Sequence, residues 1–322
     1  MAQPANLFDR YDVNSSVRED LVDKIYNVDP EEVPITTNFG RGTATNTYHE
    51  WQRDGMAAPN KDNAAIDGDD FAAEALTGTD RVGNYCQIFT KRPAVSRRAN
   101  IVKKAGMAKA MAYQKAKKMK EIKRDIEAAT LSANPAVAGT SAAASKLGGL
   151  GVLLYSNVSH GAGGSTPVHN TGAPLVAPTA GTARAFTETL LKTVAQAAYT
   201  ASGQVPPQAV MSPNHKVVFS TFTGIAVNRY QVGKKEQGRI IGGADVYMSD
   251  FGEIEIVPHY IMVGSSNVFL VNPEHGELSF LDGFRTEEMG KTGDSEKVLI
   301  TADVTLVVDA EKAMGKIADL TP

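Results

Sequence analysis

Residues 99–131 read ANIVKKAGMAKAMAYQKAKKMKEIKRDIEAATL, and this stretch decides the fold. Ile101, Ala105, Ala108, Ala112, Ala116, Met119, Ile122, Ile126 and Ala129 recur at helical spacing, which predicts a continuous apolar stripe on one side of an α-helix. Ala, Lys, Met, Glu and Arg are good helix formers, and Pro is absent until Asn134-Pro135 closes the segment. At about 1.5 Å per residue such a helix runs roughly 45–50 Å. The other side is basic, from Arg97 and Arg98 through Lys103, Lys104, Lys109, Lys115, Lys117, Lys118, Lys120, Lys123 and Arg124. A spine of this kind packs closely along one face and meets water or an anion on the other.

The rest of the chain is arranged around it. Residues 1–40 read as an arm, with Val17–Tyr26 patterned as a short amphipathic helix and Pro30 and Pro34 holding an extended path. The arm is acidic, carrying Asp9, Asp12, Glu19, Asp20, Asp23, Asp29, Glu31 and Glu32. Residues 41–95 read as a long two-stranded excursion: Thr43–Arg53, then Arg81–Thr90, with an Ala/Gly/Asp-rich tip between them. An isolated ribbon is marginal in water, and ordering each residue costs about 1–2 kcal/mol of backbone entropy. It therefore needs a partner surface, which argues for self-association.

After the spine, residues 136–181 are rich in Ala, Gly, Ser, Thr and Pro and read as a loop system with one strand at Val152–Val158. Phe186, Leu190, Val194, Ala197 and Ala201 predict a helix stopped by Gly203. Ser212-Pro213 starts another, reaching Thr223. A hairpin about Asp250-Phe251-Gly252 and a strand at Asn267–Val271 complete a mixed module, and Arg229, Lys234, Lys235 and Arg239 make the stretch 225–243 basic. Strands follow at Glu277–Phe284 and Lys297–Val308, the latter alternating strictly through Val298, Ile300, Ala302, Val304, Leu306 and Val308. Arg285–Glu296 reads as the long, doubly charged turn between them, and Asp309–Leu320 as a short helix.

Composition bounds the function. The 322 residues are 42% hydrophobic and 21% charged with a formal net charge of −3, so the chain has a core and lacks the basic excess of a dedicated nucleic-acid binder. One cysteine, Cys86, excludes an intrachain disulfide. No signal-peptide pattern opens the chain, and no apolar run is long enough to span a bilayer. The six histidines are scattered without a metal-ligand spacing, and no catalytic, cofactor or metal residue is assigned. Gly290-Lys291-Thr292 lacks the preceding glycine and following helix of a phosphate loop.

The local words carry a resemblance. Arg18-Glu19-Asp20-Leu21, Thr47-Tyr48-His49-Glu50-Trp51, Gly83-Asn84-Tyr85, Arg184-Ala185-Phe186-Thr187-Glu188, Val246-Tyr247-Met248-Ser249-Asp250-Phe251-Gly252 and Lys291-Thr292-Gly293-Asp294-Ser295-Glu296-Lys297 occur in order along most of the chain. With the order of elements, they resemble the major capsid proteins of tailed bacteriophages, a family common among short-tailed phages. The resemblance implies an α+β capsid fold: N-arm 1–40, E-loop 41–95, P-domain spine helix 96–135, A-domain 136–271, and P-domain strands and C-terminus 272–322. It implies hexamers and pentamers of an icosahedral shell enclosing double-stranded DNA. The partners would be scaffolding protein, portal, decoration protein and DNA held non-specifically, with assembly in host cytoplasm and residence in the virion. No fused scaffolding segment precedes the arm, so a separate scaffold is expected. The expected inter-subunit contacts are Tyr48, Trp51, Tyr85 and Phe89 at the ribbon base and Arg285, Glu287, Glu288, Lys291, Asp294 and Glu296 in the charged turn. Lys115, Lys118 and Lys123 are expected on an inner basic face, opposite a stripe that packs on the even-numbered face of 298–308. Competing readings are a bacterial nanocompartment shell, a non-specific nucleic-acid binder using the basic helix, and a hydrolase using His49, Glu50 and Cys86.

Overall fold

The protein was analysed as a computed structural model, which describes residues 25, 29–30, 32–68, 70, 75–167, 169, 172–222, 245–291 and 293–322. The expected arm helix at 17–26, apart from Ile25, and the basic stretch 225–243 lie outside these residues. In chain order the first half forms α1 (Pro34–Asn38), β1 (Gly40–Thr43), β2 (Tyr48–Arg53), β3 (Asp80–Tyr85), β4 (Gln87–Lys91), β5 (Ala94–Ser96), α2 (Arg97–Ile101), α3 (Ala110–Thr130), α4 (Leu150–Leu153) and β6 (Val158–Ser159). The second half forms α5 (Glu188–Ser202), β7 (Gln208–Met211), α6 (Pro213–Phe219), β8 (Val246–Ser249), β9 (Gly252–Pro258), β10 (Val268–Val271), β11 (Gly276–Met289), β12 (Ser295–Val308) and β13 (Gly315–Ile317).

The long strands β11 and β12 anchor the first core. Among the described residues one sheet has the order β1-β11-β12-β4, with β5 also on β12. The spine helix α3 lies on this sheet. Ile122 and Ile126 share a buried cluster with Val298, Ile300, Ala302, Val304, Leu306 and Val308, the even-numbered face of β12. Period 3.6 on the helix meets period 2 on the strand, and each buries one side.

The spine is shorter than its composition predicts. Helix α2 stops at Ile101, and α3 begins only at Ala110. Gly106 sits between them with φ +75°, a left-handed conformation that breaks the helix. The break also makes room for the arm, because a Cβ at Gly106 would lie 2.6 Å from Ile25 Cγ1. Asn100 bridges the gap, its Oδ1 accepting from Met111 N–H at 3.1 Å. The predicted stripe is correspondingly misphased in its first half. Ile101, Ala108, Ala112 and Ala116 are exposed, whereas Met111 is buried.

A second core lies between α5, α6 and a sheet of order β6-β13-β10-β7-β9-β8. Helix α5 ends as its sequence predicts, with Gly203 at φ +73°, and at its start Thr187 Oγ1 accepts from Leu190 N–H at 3.4 Å. Helix α6, expected to reach Thr223, ends at Phe219.

Three further expectations are corrected. Residues 136–181 are not only loop: Leu147, Leu150, Leu153 and Leu154 enter the spine core, and the strand expected at Val152–Val158 is replaced by a helix at Leu150–Leu153 with strand only from Val158. Small neighbours let this backbone approach closely enough to be buried. The expected C-terminal helix is a 3-10 turn followed by β13, which pairs with β10 and β6. The chain end therefore joins the six-stranded sheet, not the spine sheet. The turn expected at 285–296 is mostly strand, because β11 and β12 continue pairing to Met289↔Lys297. Both faces of that outer hairpin are largely wet, so charged residues do not oppose the ladder.

Candidate subunit interface

The ribbon grows from a buried amide. Asn84 is fully buried in β3, where its Nδ2 donates to Gly148 O at 3.0 Å and Leu306 O at 2.9 Å. Its Oδ1 accepts from Gly148 N–H at 2.8 Å and Tyr85 N–H at 2.9 Å. All four polar capacities are used, so the base of the excursion is pinned to β12 and to the chain after the spine. Strand β2 pairs antiparallel with β3, with Tyr48 opposite Tyr85 and Trp51 opposite Val82. The Tyr48 and Tyr85 rings lie 4.8 Å apart on one face. Gly83 permits this, since a Cβ there would meet the Tyr48 ring at 2.6 Å. Burial is the first cause raising the Tyr48 phenol above its ordinary pKa, and Glu50 adds to it. Trp51 Nε1 donates to Val308 O at 3.1 Å.

Beyond Arg53 and Asp80 the two strands part. Residues 54–68 and 75–79 carry no helix or strand, and Met56, Ile66 and Leu76 are 102%, 76% and 95% exposed. Asp54, Asp62, Asp67 and Asp70 stand on this tip, while Asp69 and Glu74 lie outside the described residues.

The four aromatic residues expected to hold a neighbour thus divide. Tyr48, Trp51 and Tyr85 are half-buried at the ribbon base. Phe89 is corrected: it is 6% exposed in this chain's own spine core, where period 2 along β4 turns it inward and leaves Ile88 outside.

The charged hairpin uses much of its charge internally. Arg285 pairs with Glu287 at 3.1 Å and Asp282 at 3.5 Å. Arg97 Nε donates to Asp294 at 2.7 Å, and Asn100 Nδ2 to Glu296 at 2.6 Å, which ties the hairpin tip to α2. Glu288 and Lys291 are exposed near the tip.

The three lysines of the expected inner face do not share one face. Lys115 and Lys118 follow Met111 and precede Ile122 at i+4, i+3, i+4 spacing, so they lie half-buried on the packed side. Lys118 bonds Glu121 at 2.6 Å, and Lys123 is exposed beside the arm end. The side turned away from the sheet carries exposed Lys117 and Lys120 instead, while Arg124 is half-buried with its guanidinium over the Tyr260 ring. The first-half misphasing of the stripe is what shifted the assignment.

Cys86 is 1% exposed, and burial pushes its thiol up to about 11. Among the described residues no helix is long and apolar enough to cross a membrane.

The family model for SU10 major capsid protein matches residues 4–321. The chain belongs to that family. As a member of the SU10 major capsid family it is also similar to the major capsid protein of Escherichia phage Phieco32, at 33% identity over 132 residues. That match covers 41% of this chain and spans 37% of the relative's length. The capsid asymmetric unit of cyanophage A-1(L) is similar at TM-score 0.64 and 13% identity, with 95% of this chain and 98% of that chain covered. The SrpI encapsulin complex of Synechococcus elongatus PCC 7942 is similar at TM-score 0.54 and 10% identity, with 98% and 96% covered. At these identities the likeness establishes the fold, which is the α+β tailed-phage capsid fold read from the sequence.

Proposed function

We propose that this chain assembles into the closed icosahedral head of a tailed phage and encloses double-stranded DNA. Its role is structural, without catalysis. The observation that carries the reading is the ribbon: a two-stranded excursion pinned at its base, ending in exposed Met56, Ile66 and Leu76. Exposed apolar groups along one protrusion mark a surface meant to be covered. Membership of a major capsid family supports further copies of the chain as that cover. In this reading the ribbon beyond Arg53 and Asp80 lies over a neighbouring subunit, while β1, β4 and β5 on either side of it stay in this chain's spine sheet, and residues 136–271 gather at the centres of hexamers and pentamers. The hairpin 285–296 meets its copies at three-fold positions. Lys117 and Lys120 face the interior with Lys123, toward DNA, scaffolding protein or the acidic arm of a neighbour, and portal and decoration proteins complete a virion assembled in host cytoplasm.

The encapsulin likeness supports a second reading, a shell around protein cargo. Nuclease digestion of purified particles separates the two. DNA of genome length that resists nuclease supports the phage head, and particles holding only protein overturn it.

A further inference from the structure

Strands β11 and β12 place two carboxylates directly opposite each other. Asp282 of β11 faces Asp303 of β12, and the ladder shifts register on both sides of the pair. From Phe280↔Val304 to Asp282↔Asp303, two residues of β11 stand against one of β12. From there to Arg285↔Thr301, three stand against two. Each shift leaves an extra residue on β11, which bends a strand and interrupts its pairing. Like charges facing each other across a ladder also oppose pairing. Asp303 is the confined member. Its Oδ1 is buried without a hydrogen-bond partner among the described residues. Burial is the first cause raising its carboxyl above the ordinary pKa, and Asp282 is the second. Asp282 is exposed and has a cation of its own, Arg285 Nη1 at 3.5 Å.

We propose that the Asp282–Asp303 pair is a charge-operated hinge at the root of the outer hairpin, splayed while both carboxylates are ionised and drawn shut when Asp303 takes a proton. An ionised Asp303 only accepts hydrogen bonds, and it faces another acceptor. A proton from solvent gives it an O–H, and the acceptor opposite is the Asp282 carboxylate. Repulsion is then replaced by a charge-assisted hydrogen bond, at the point where the bulges part the strands. The other groups facing the pair do not substitute for it. Ala302 and Val304 enter the spine core, so Asp303 lies on the sheet face turned away from α3. On that face β11 carries Arg285 and Glu287, which pair with each other at 3.1 Å, and Glu277, which bonds Ser279. On the β4 side Asp303 is opposite exposed, uncharged Ile88, and the Cys86 thiol before it is neutral. Thr305 Oγ1, next along β12 on this face, donates to Tyr85 O at 3.1 Å. Lys91 of β4 is opposite Ile300 on the α3 side and pairs with Asp125, and Arg41 of β1 is opposite Leu278 on that side too. The folded subunit holds the Asp303 proton more tightly than the unfolded chain does. Hairpin stability from this group therefore rises as pH falls toward the ordinary carboxylate value.

The test is amide hydrogen exchange on full-length, unassembled subunits, so its outcome does not depend on what the chain assembles into. Asp303→Asn keeps the size, removes the charge and supplies a donor toward Asp282. At about pH 7.5 it should raise protection of the peptides covering 283–289 and 297–302 about threefold, with 268–271 of the other sheet unchanged. In the parent the same two peptides should gain protection as pH is lowered, after correction for intrinsic rates, and Asp303→Asn should show no such gain. Asp282→Asn completes a double-mutant cycle, in whose background Asp303→Asn should add almost nothing. Protection that is unchanged or lowered in Asp303→Asn, or a failure of that variant to fold, overturns the hinge. An equal gain in both backgrounds overturns it as well, because burial of Asp303 alone would then account for the effect.

Discussion

Two buried polar residues bear measurable consequences. Lys316, 1% exposed in β13, donates to Gly151 O at 2.6 Å and Thr166 Oγ1 at 2.9 Å. Burial is the main cause pushing its ammonium down to about 8, with Asp319 acting in the opposite direction. The unfolded chain then binds more protons than the folded one between about 8 and the ordinary lysine value. Stability from this group accordingly rises with pH across that window, by about 1–2 kcal/mol between pH 8 and 9.5. Urea midpoints of the unassembled subunit should show the rise, and Lys316→Met should remove it. Asn84 makes a second case. Asn84→Ala strands the Gly148 and Leu306 backbone groups it satisfies, each costing about 1–3 kcal/mol when buried without a partner. Denaturant unfolding should register that loss, and a change under about 0.5 kcal/mol would contradict the clamp.

At the scale of elements, the ribbon tip and the charged hairpin make separable predictions. Replacing residues 55–78 with a short turn leaves the β2–β3 register intact, because Arg53 pairs with Asp80. The subunit should keep its stability within about 1 kcal/mol and yield no shells, as judged by denaturation and sedimentation. For the hairpin, Lys291→Glu should weaken shells more at low salt than at high, since exposed pairs are worth about 0–1 kcal/mol and are screened. Equal shell stability of variant and parent at low salt would remove the hairpin from the interface. Here the residue patterns were only partly readable. Strict alternation located β12, and Ile122 and Ile126 located the packed half of the spine. The break at Gly106 was hidden because one glycine among strong helix formers costs only about 1 kcal/mol. Asp282 and Asp303 come opposite each other only through shifts of register in β11, which no spacing rule anticipates. Strand β13 is three residues long and carries no periodicity of its own.

For the whole molecule, the order of ribbon, spine, mixed module and returning strands was legible among the described residues because each change of composition marks a change of element. Contacts between copies were less so, since they are chosen by surfaces that no intrachain pattern constrains. Phe89 shows the limit: an aromatic side chain near the ribbon looks like an anchor until alternation along β4 turns it inward. The account's central claim is assembly, and electron cryomicroscopy of particles formed by the full chain with its scaffold tests it most directly. The predicted result is a closed icosahedral shell of hexamers and pentamers, with Met56, Ile66 and Leu76 covered by a neighbouring subunit. A protein that stays monomeric at every concentration, or particles whose ribbons lie free in solvent, would contradict it.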